Sequence, residues 1–116
     1  MNMSREEEFK AITEKMASVF IAKNKDYGNS FEKSIDEEGY VAFQVRAMDK
    51  LNRFKSVLLN KKQEVNDESI KDTLLDLANY CIMCSMKISE DLANKKEIRY
   101  YQNAEKAVSK ALGQYI

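Results

Sequence analysis

The sequence predicts an all-α protein, an antiparallel bundle of four main helices in one domain spanning residues 1–116, and three observations carry that expectation. Proline is absent and glycine occurs three times, so the residues that most often break helices and build tight turns are scarce. Charged residues make up 33% of the chain beside 44% hydrophobic ones, a balance suited to long amphipathic helices. Apolar residues also recur at spacings of three and four over most of the chain. With 116 residues, one such domain buries roughly two thirds of the surface its unfolded form exposes.

The first helix opens on a capping-box pattern, Ser4 and Glu7, and continues through Phe9, Ile12, Met16, Val19 and Phe20 at helical spacing. It is predicted to run from about Arg5 to Ala22 or a little beyond. The following run, KNKDYGNSF from Lys23 to Phe31, ends it with cations near its C-terminus and with Gly28, which takes a left-handed conformation readily. As a plain surface turn this run needs only Gly28. As a ligand loop it gathers Lys23, Lys25, Asp26, Tyr27 and Asn29, which supply charge, hydrogen bonds and a stacking ring. Glu32 to Gly39 reads as a short helical turn or ordered connection that brings Phe31 and Ile35 onto the core.

A second helix is predicted from Tyr40 to Leu59. Phe43, Ala47, Leu51, Phe54 and Leu58 trace its apolar row, widened by Val41, Val45 and Met48. Arg46, Lys50 and Arg53 form a basic stripe within about 60° of one another, with Asp49 beside them. The polar connection Asn60 to Val65 has the length expected between antiparallel neighbours. A third helix follows from Asn66 to about Ile88, on which Glu68, Asp72, Asp76 and Asn79 fall within about 80°. Stacked carboxylates repel, so a cation is expected opposite them, and the stripe is expected to face inward to a cleft. Leu74, Leu75, Leu77, Ala78, Cys81, Ile82, Cys84 and Met86 predict burial over most of the rest of that helix. Beyond a turn between Ser89 and Lys96, a fourth helix is predicted through Ile98, Tyr101, Ala104, Val108, Ala111, Leu112 and Tyr115, ending near Gly113.

The charges narrow the function classes. The 19 basic and 19 acidic residues cancel, so net charge predicts neither nucleic-acid nor membrane-surface binding. Cys81 and Cys84 stand alone without any histidine, so they are expected to pack as small hydrophobes rather than to bind zinc. No apolar leader and no run of about 18 apolar residues is present, which predicts a cytoplasmic protein. P-loop, nucleophile-elbow and dinucleotide fingerprints are absent. What remains is the meeting of two stripes. Either they zip into an interhelical ion-pair seam, or the carboxylates hold a divalent cation while Arg46, Lys50 and Arg53 hold the phosphates of a nucleotide.

KNKDYGNSF at Lys23 to Phe31, Gly39, Arg46 with DKLNR at Asp49 to Arg53, and DESIKDTLLDLANY at Asp67 to Tyr80 resemble, in that order, the nucleotide modification associated domain 1 family of bacteria and their phages. That family is associated with nucleotide metabolism and base modification. Its helical layout is similar to the MazG-like all-α nucleotide pyrophosphohydrolases, which split nucleoside triphosphates into monophosphate and pyrophosphate using magnesium held by carboxylates on two neighbouring helices. The resemblance implies magnesium on Asp72 and Asp76 with Asp49 or Glu68. With the residue pattern it leads to a nucleotide bound by Arg46, Lys50, Arg53 and Asn79 and by the loop residues Asp26 and Asn29, with Lys23, Lys25 and Tyr27 closing over it. It also implies a homo-oligomer, at least a dimer. One departure stands out: MazG-like enzymes carry Glu-Glu-x-x-Glu on one helix and Glu-x-x-Asp on the next, whereas the second helix here offers only Asp49 among its cations. Three functions therefore stay open: a magnesium-dependent pyrophosphohydrolase, a phage protein that sequesters a nucleotide signal of host defence, and a helical interaction module without ligand.

Overall fold

The computed structural model describes residues 2–27, 29–60, 67–103 and Leu112. Among them the regular elements are four helices, α1 (Arg5–Tyr27), α2 (Ser30–Glu38), α3 (Val41–Leu59) and α4 (Asp67–Ala93), and no strand, as the all-α expectation requires. The chain divides into two compact units, Met1–Ser30 and Phe31–Ile116.

In the first unit, α1 begins where the capping box places it. The Ser4 hydroxyl accepts from the Glu7 N–H at 3.1 Å, and the Glu7 carboxylate accepts from the Ser4 N–H at 3.2 Å. The Ser4 hydrogen bonds hold the Glu7 carboxyl below its ordinary range. The helix runs beyond Ala22, as the expectation allowed, and takes in the predicted loop as far as Tyr27, because nothing between Lys23 and Tyr27 breaks a helix. Lys23, Lys25, Asp26 and Tyr27 are therefore helical, not a loop, and Asn29 follows as an exposed residue. Gly28 and the side chains of Lys25, Asp26 and Tyr27 lie outside the described residues.

The second unit is built around α2. Phe31 and Ile35, one turn apart, are 5% and 2% exposed, and with Cys84 of α4 they form the core. Tyr40, Ala42 and Phe43 from the start of α3 and Tyr80, Met83 and Ile88 from α4 pack against it. α3 and α4 run antiparallel, since Arg46 meets Tyr80 and, one turn along both helices, Lys50 meets Asp76.

Burial is narrower than the periodicity predicts. On α3, Ala47 is buried and Phe43 and Phe54 are half-buried, but Val45, Met48, Leu51 and Leu58 are exposed. On α4, Leu74, Cys81, Ile82 and Met86 are exposed as well. Each helix presents one face to its neighbours, and an apolar sector wider than that face turns its remainder outward. Cys84 behaves as the small hydrophobe expected, with burial first and nearby Cys81 second pushing its thiol up. Cys81 does not share that environment.

α4 continues past Ile88 to Ala93 and closes in a Schellman motif. The Lys96 N–H donates to Asp91 O at 2.8 Å and the Lys95 N–H to Leu92 O at 3.1 Å, with Lys95 in the left-handed region at φ 58°.

The predicted fourth helix does not start at Ile98. Residues 96–103 form an irregular strap, and 104–111 and 113–116 lie outside the described residues. The reason is non-local. The first amides of α3 have no partners within their own helix, and the strap supplies them: Arg99 O accepts from the Tyr40 N–H and Tyr100 O from the Val41 N–H, both at 2.9 Å. Gln102 N–H donates in return to Glu38 O at 3.0 Å. Gly39 makes this corner possible. Its φ is +100°, and an added Cβ would overlap the Tyr100 carbonyl and stand 2.6 Å from the Gln102 nitrogen.

Gly39→Ala should therefore lower unfolding free energy by about 2 kcal/mol or more, whereas Lys95→Gly should raise it by about 0.5–1 kcal/mol by relieving a left-handed lysine. Urea denaturation of both variants checks the pair. A neutral Gly39→Ala would remove the role given to the strap.

Candidate functional site

The basic and acidic stripes meet between α3 and α4. Lys50 Nζ lies 3.3 Å from Asp76 Oδ2, with the two side chains 29% and 45% exposed. One turn toward the start of α3, Arg46 Nη1 donates to the Tyr80 hydroxyl at 3.3 Å. The Arg46 guanidinium carbon also stands 5.7 Å from the Phe31 ring centre and 5.6 Å from that of Tyr80, and the two rings are 5.4 Å apart. Two ring faces and one phenol thus orient a half-buried guanidinium. A guanidinium carries five N–H donors, and Tyr80 uses one of them.

The other predicted site residues are spread more widely. Arg53 and Asp72 are exposed and Asn79 is half-buried, so the acidic stripe does not turn inward as predicted. The side chain of Glu68 lies outside the described residues. Asp49 stands about 100° around α3 from Lys50. It borders a different groove, of 430 Å³, with Ser34, Glu38, Val41, Ala42, Val45 and Arg46. Among the described residues no group of three or more Asp, Glu, His or Cys side chains is placed to hold a metal ion. Lys23, Lys25, Asp26, Tyr27 and Asn29 belong to the first unit.

Sequence reasoning missed the most deeply placed charges in the second unit. Lys87 is 3% exposed, and its ammonium lies 2.7 Å from Asp36 Oδ1 and 3.0 Å from Asp91 Oδ1. Asp91 is also buried, and its second oxygen accepts from the Tyr40 hydroxyl at 2.8 Å. Its first oxygen touches the ammonium without an aligned hydrogen bond. Asp36, Tyr40 and Asp91 border a cleft of 520 Å³ lined also by Lys96, Glu97 and Arg99 of the strap, where Glu97 holds the Arg99 guanidinium at 2.8 and 3.0 Å.

Burial alone would pull the Lys87 ammonium down, but its bonds to Asp36 and Asp91 outweigh it and raise the pKa. Burial would push the Asp91 carboxyl up, yet the close Lys87 ammonium, the Tyr40 hydrogen bond and the nearby Lys96 leave it lowered. Burial, and then the Asp91 carboxylate, push the Tyr40 phenol far upward. The signal in the sequence was the spacing of Lys87 and Asp91, which pair at i and i+4 once α4 is taken past Ile88.

Compared with known families, residues 23–88 match the one described as nucleotide modification associated domain 1, a stretch longer than half the chain. The match takes in Arg46, Lys50, Asp76 and Lys87 and ends before Asp91 and the strap. No curated protein and no solved structure matches significantly.

The shifts fix the sign of the pH dependence. Asp91, lowered on folding, adds stability that is complete above about pH 4 and is lost as pH falls through its folded value. Lys87 and Tyr40, both raised, add stability that is complete below about pH 10 and is lost as pH rises through theirs. Melting temperature should therefore form a plateau and decline at both ends. At pH 7, Lys87→Met should cost ~3–5 kcal/mol by leaving Asp91 buried and uncompensated, and the double variant Lys87→Met/Asp91→Leu should recover part of that loss. A single-variant cost below about 1 kcal/mol would mean that the pair is screened like a surface one.

Proposed function

Because the chain belongs to the nucleotide modification associated domain 1 family, we propose that it binds a nucleotide whose phosphates lie along the α3–α4 seam. The observation that carries this reading is Arg46, a guanidinium held against the Phe31 and Tyr80 rings one turn from the Lys50 ammonium. Phosphate oxygens are the bidentate acceptors that an oriented guanidinium suits. Lys50 exchanges Asp76 for a phosphate, and Arg53 extends the same positive row. Because the Lys50–Asp76 pair is half-exposed, breaking it costs little, about 1 kcal/mol or less.

Asp72 and Asp76, one turn apart, fit magnesium in the way that ion is usually held, by one or two carboxylates with the substrate's phosphates completing its shell. Glu68 stands one turn before them and Asn79 beyond them on the same stripe. When bound, the ion would polarise the phosphate and acidify a bound water, chemistry that fits pyrophosphohydrolysis of a nucleoside triphosphate as in the MazG-like enzymes. With α3 contributing cations where those enzymes have acids, a non-catalytic phage protein that keeps a nucleotide intact in the host cytoplasm is the alternative. The third reading, an interaction module, draws on the same Lys50–Asp76 contact taken as a finished ion pair. Met48 and Leu51 on α3 with Leu74, Ile82 and Met86 on α4 are exposed apolar side chains, which supports a homo-oligomer.

Incubating the protein with a nucleotide panel and magnesium separates the three readings. New products mean an enzyme, ligand that returns intact after denaturation means a sequestering protein, and no ligand effect leaves the interaction module. Asp76→Asn should abolish the magnesium-dependent response at unchanged or higher melting temperature. Under the seam reading it should instead lower stability by ~0.5–1 kcal/mol and leave ligand behaviour alone. Light scattering at micromolar concentration should give at least a dimer mass, and a monomer mass overturns the oligomer.

A further inference from the structure

The seam accounts for phosphates but leaves the rest of a nucleotide without a place, and Arg46 points to one. It borders both the seam and the groove between α2 and α3, lined also by Ser34 and Glu38 of α2 and by Val41, Ala42, Val45 and Asp49 of α3. Val41, Ala42 and Val45 give that groove an apolar side, and Val45 is 57% exposed, so the surface is available to a flat ring. The volume of 430 Å³ lies within the range of small-molecule sites. Asp49 stands at the edge next to the basic row, three residues after Arg46 and four before Arg53. Among the described residues no cation reaches it within ion-pair distance, because the Arg46 guanidinium is turned toward Phe31 and Tyr80. Its carboxylate is thus an acceptor-only group beside an apolar wall, one step from the proposed phosphate site.

We propose that this groove takes the base of the nucleotide, and that Asp49 selects a base with two adjacent N–H donors on one edge, the pattern of guanine. The inference rests on the nucleotide reading above. Two carboxylate oxygens match two parallel donors as they match the fork of an arginine. Guanine offers its ring N1–H and its exocyclic amine side by side. Adenine and cytosine each put a ring acceptor beside the amine, and uracil puts carbonyls on both sides of its single N–H, so each sets a lone pair against the carboxylate. Asp49 is in this assignment a base-selecting residue, with Asp72 and Asp76 left to the metal.

Calorimetric titration of GTP, ATP, CTP, UTP and inorganic pyrophosphate into wild type and Asp49→Asn, with melting curves on both, tests it. The expected result is that wild type prefers GTP by about tenfold or more, and that Asp49→Asn, equally stable because the side chain is exposed, loses that preference while binding pyrophosphate as before. Equal affinity for the four nucleotides, preference for another base, or a guanine preference that survives in Asp49→Asn overturns the base assignment and leaves the phosphate site standing. Failure of all five ligands to bind overturns both.

Discussion

Lys87 carries a charge into the interior of the second unit, and the network of bonds around it draws on all three helices there. Asp36 belongs to α2, Tyr40 to the entry of α3, and Asp91 to the last turn of α4. Taking an ammonium and a carboxylate out of water costs several kcal/mol, and only close pairing with further hydrogen bonds offsets that. The pairing here is geometrically demanding: Asp36 follows Ile35, so the face of α2 that seats Ile35 in the core must also bring Asp36 to the ammonium. With few side chains fully sequestered, the ion network chooses among packings that a small apolar core by itself would tolerate.

The ion pairs of Lys87 and of Lys50 differ in what they permit. Around Lys87 the local dielectric is low and both partners are held by additional groups, so the pair is fixed. Around Lys50 and Asp76 water reaches both side chains, so the same contact contributes little and yields to a competing ligand. Fixed charge at one place and exchangeable charge at another is the physical distinction between framework and candidate site, although both involve a lysine and an aspartate on adjoining helices.

How much was legible follows the range of the interaction. Ser4 and Glu7 are three residues apart and their reciprocal bonds were readable directly. The limits of α3 and the antiparallel meeting of Arg46, Lys50 and Asp76 with α4 followed from periodicity and a short connection. Three features were not readable. α1 continues through Lys23 to Tyr27 because polar residues without a breaker extend a helix as well as end one. The spacing of Ile98 and Tyr101 suits a helix, yet the open amides of Tyr40 and Val41, far earlier in the chain, draw that segment into a strap. Lys87 was not singled out, because Asp36 reaches it, and Tyr40 reaches its partner Asp91, only through the fold. In the groove, Asp49 was visible as the lone acid in a basic helix, but which side of α3 it bordered depended on α2.

The strap also imposes an order of events on the chain. During synthesis α3 emerges with its leading amides open to water, and Gly39 is then an unconstrained glycine. The corner between α2 and α3 closes only when Arg99, Tyr100 and Gln102 have been made and laid across it. The same asymmetry governs local opening in the finished protein. Lifting a few residues at the surface exposes the Tyr40 and Val41 amides to hydrogen exchange while the rest of α3 stays intact, so protection at those two positions reports the strap rather than the helix that contains them.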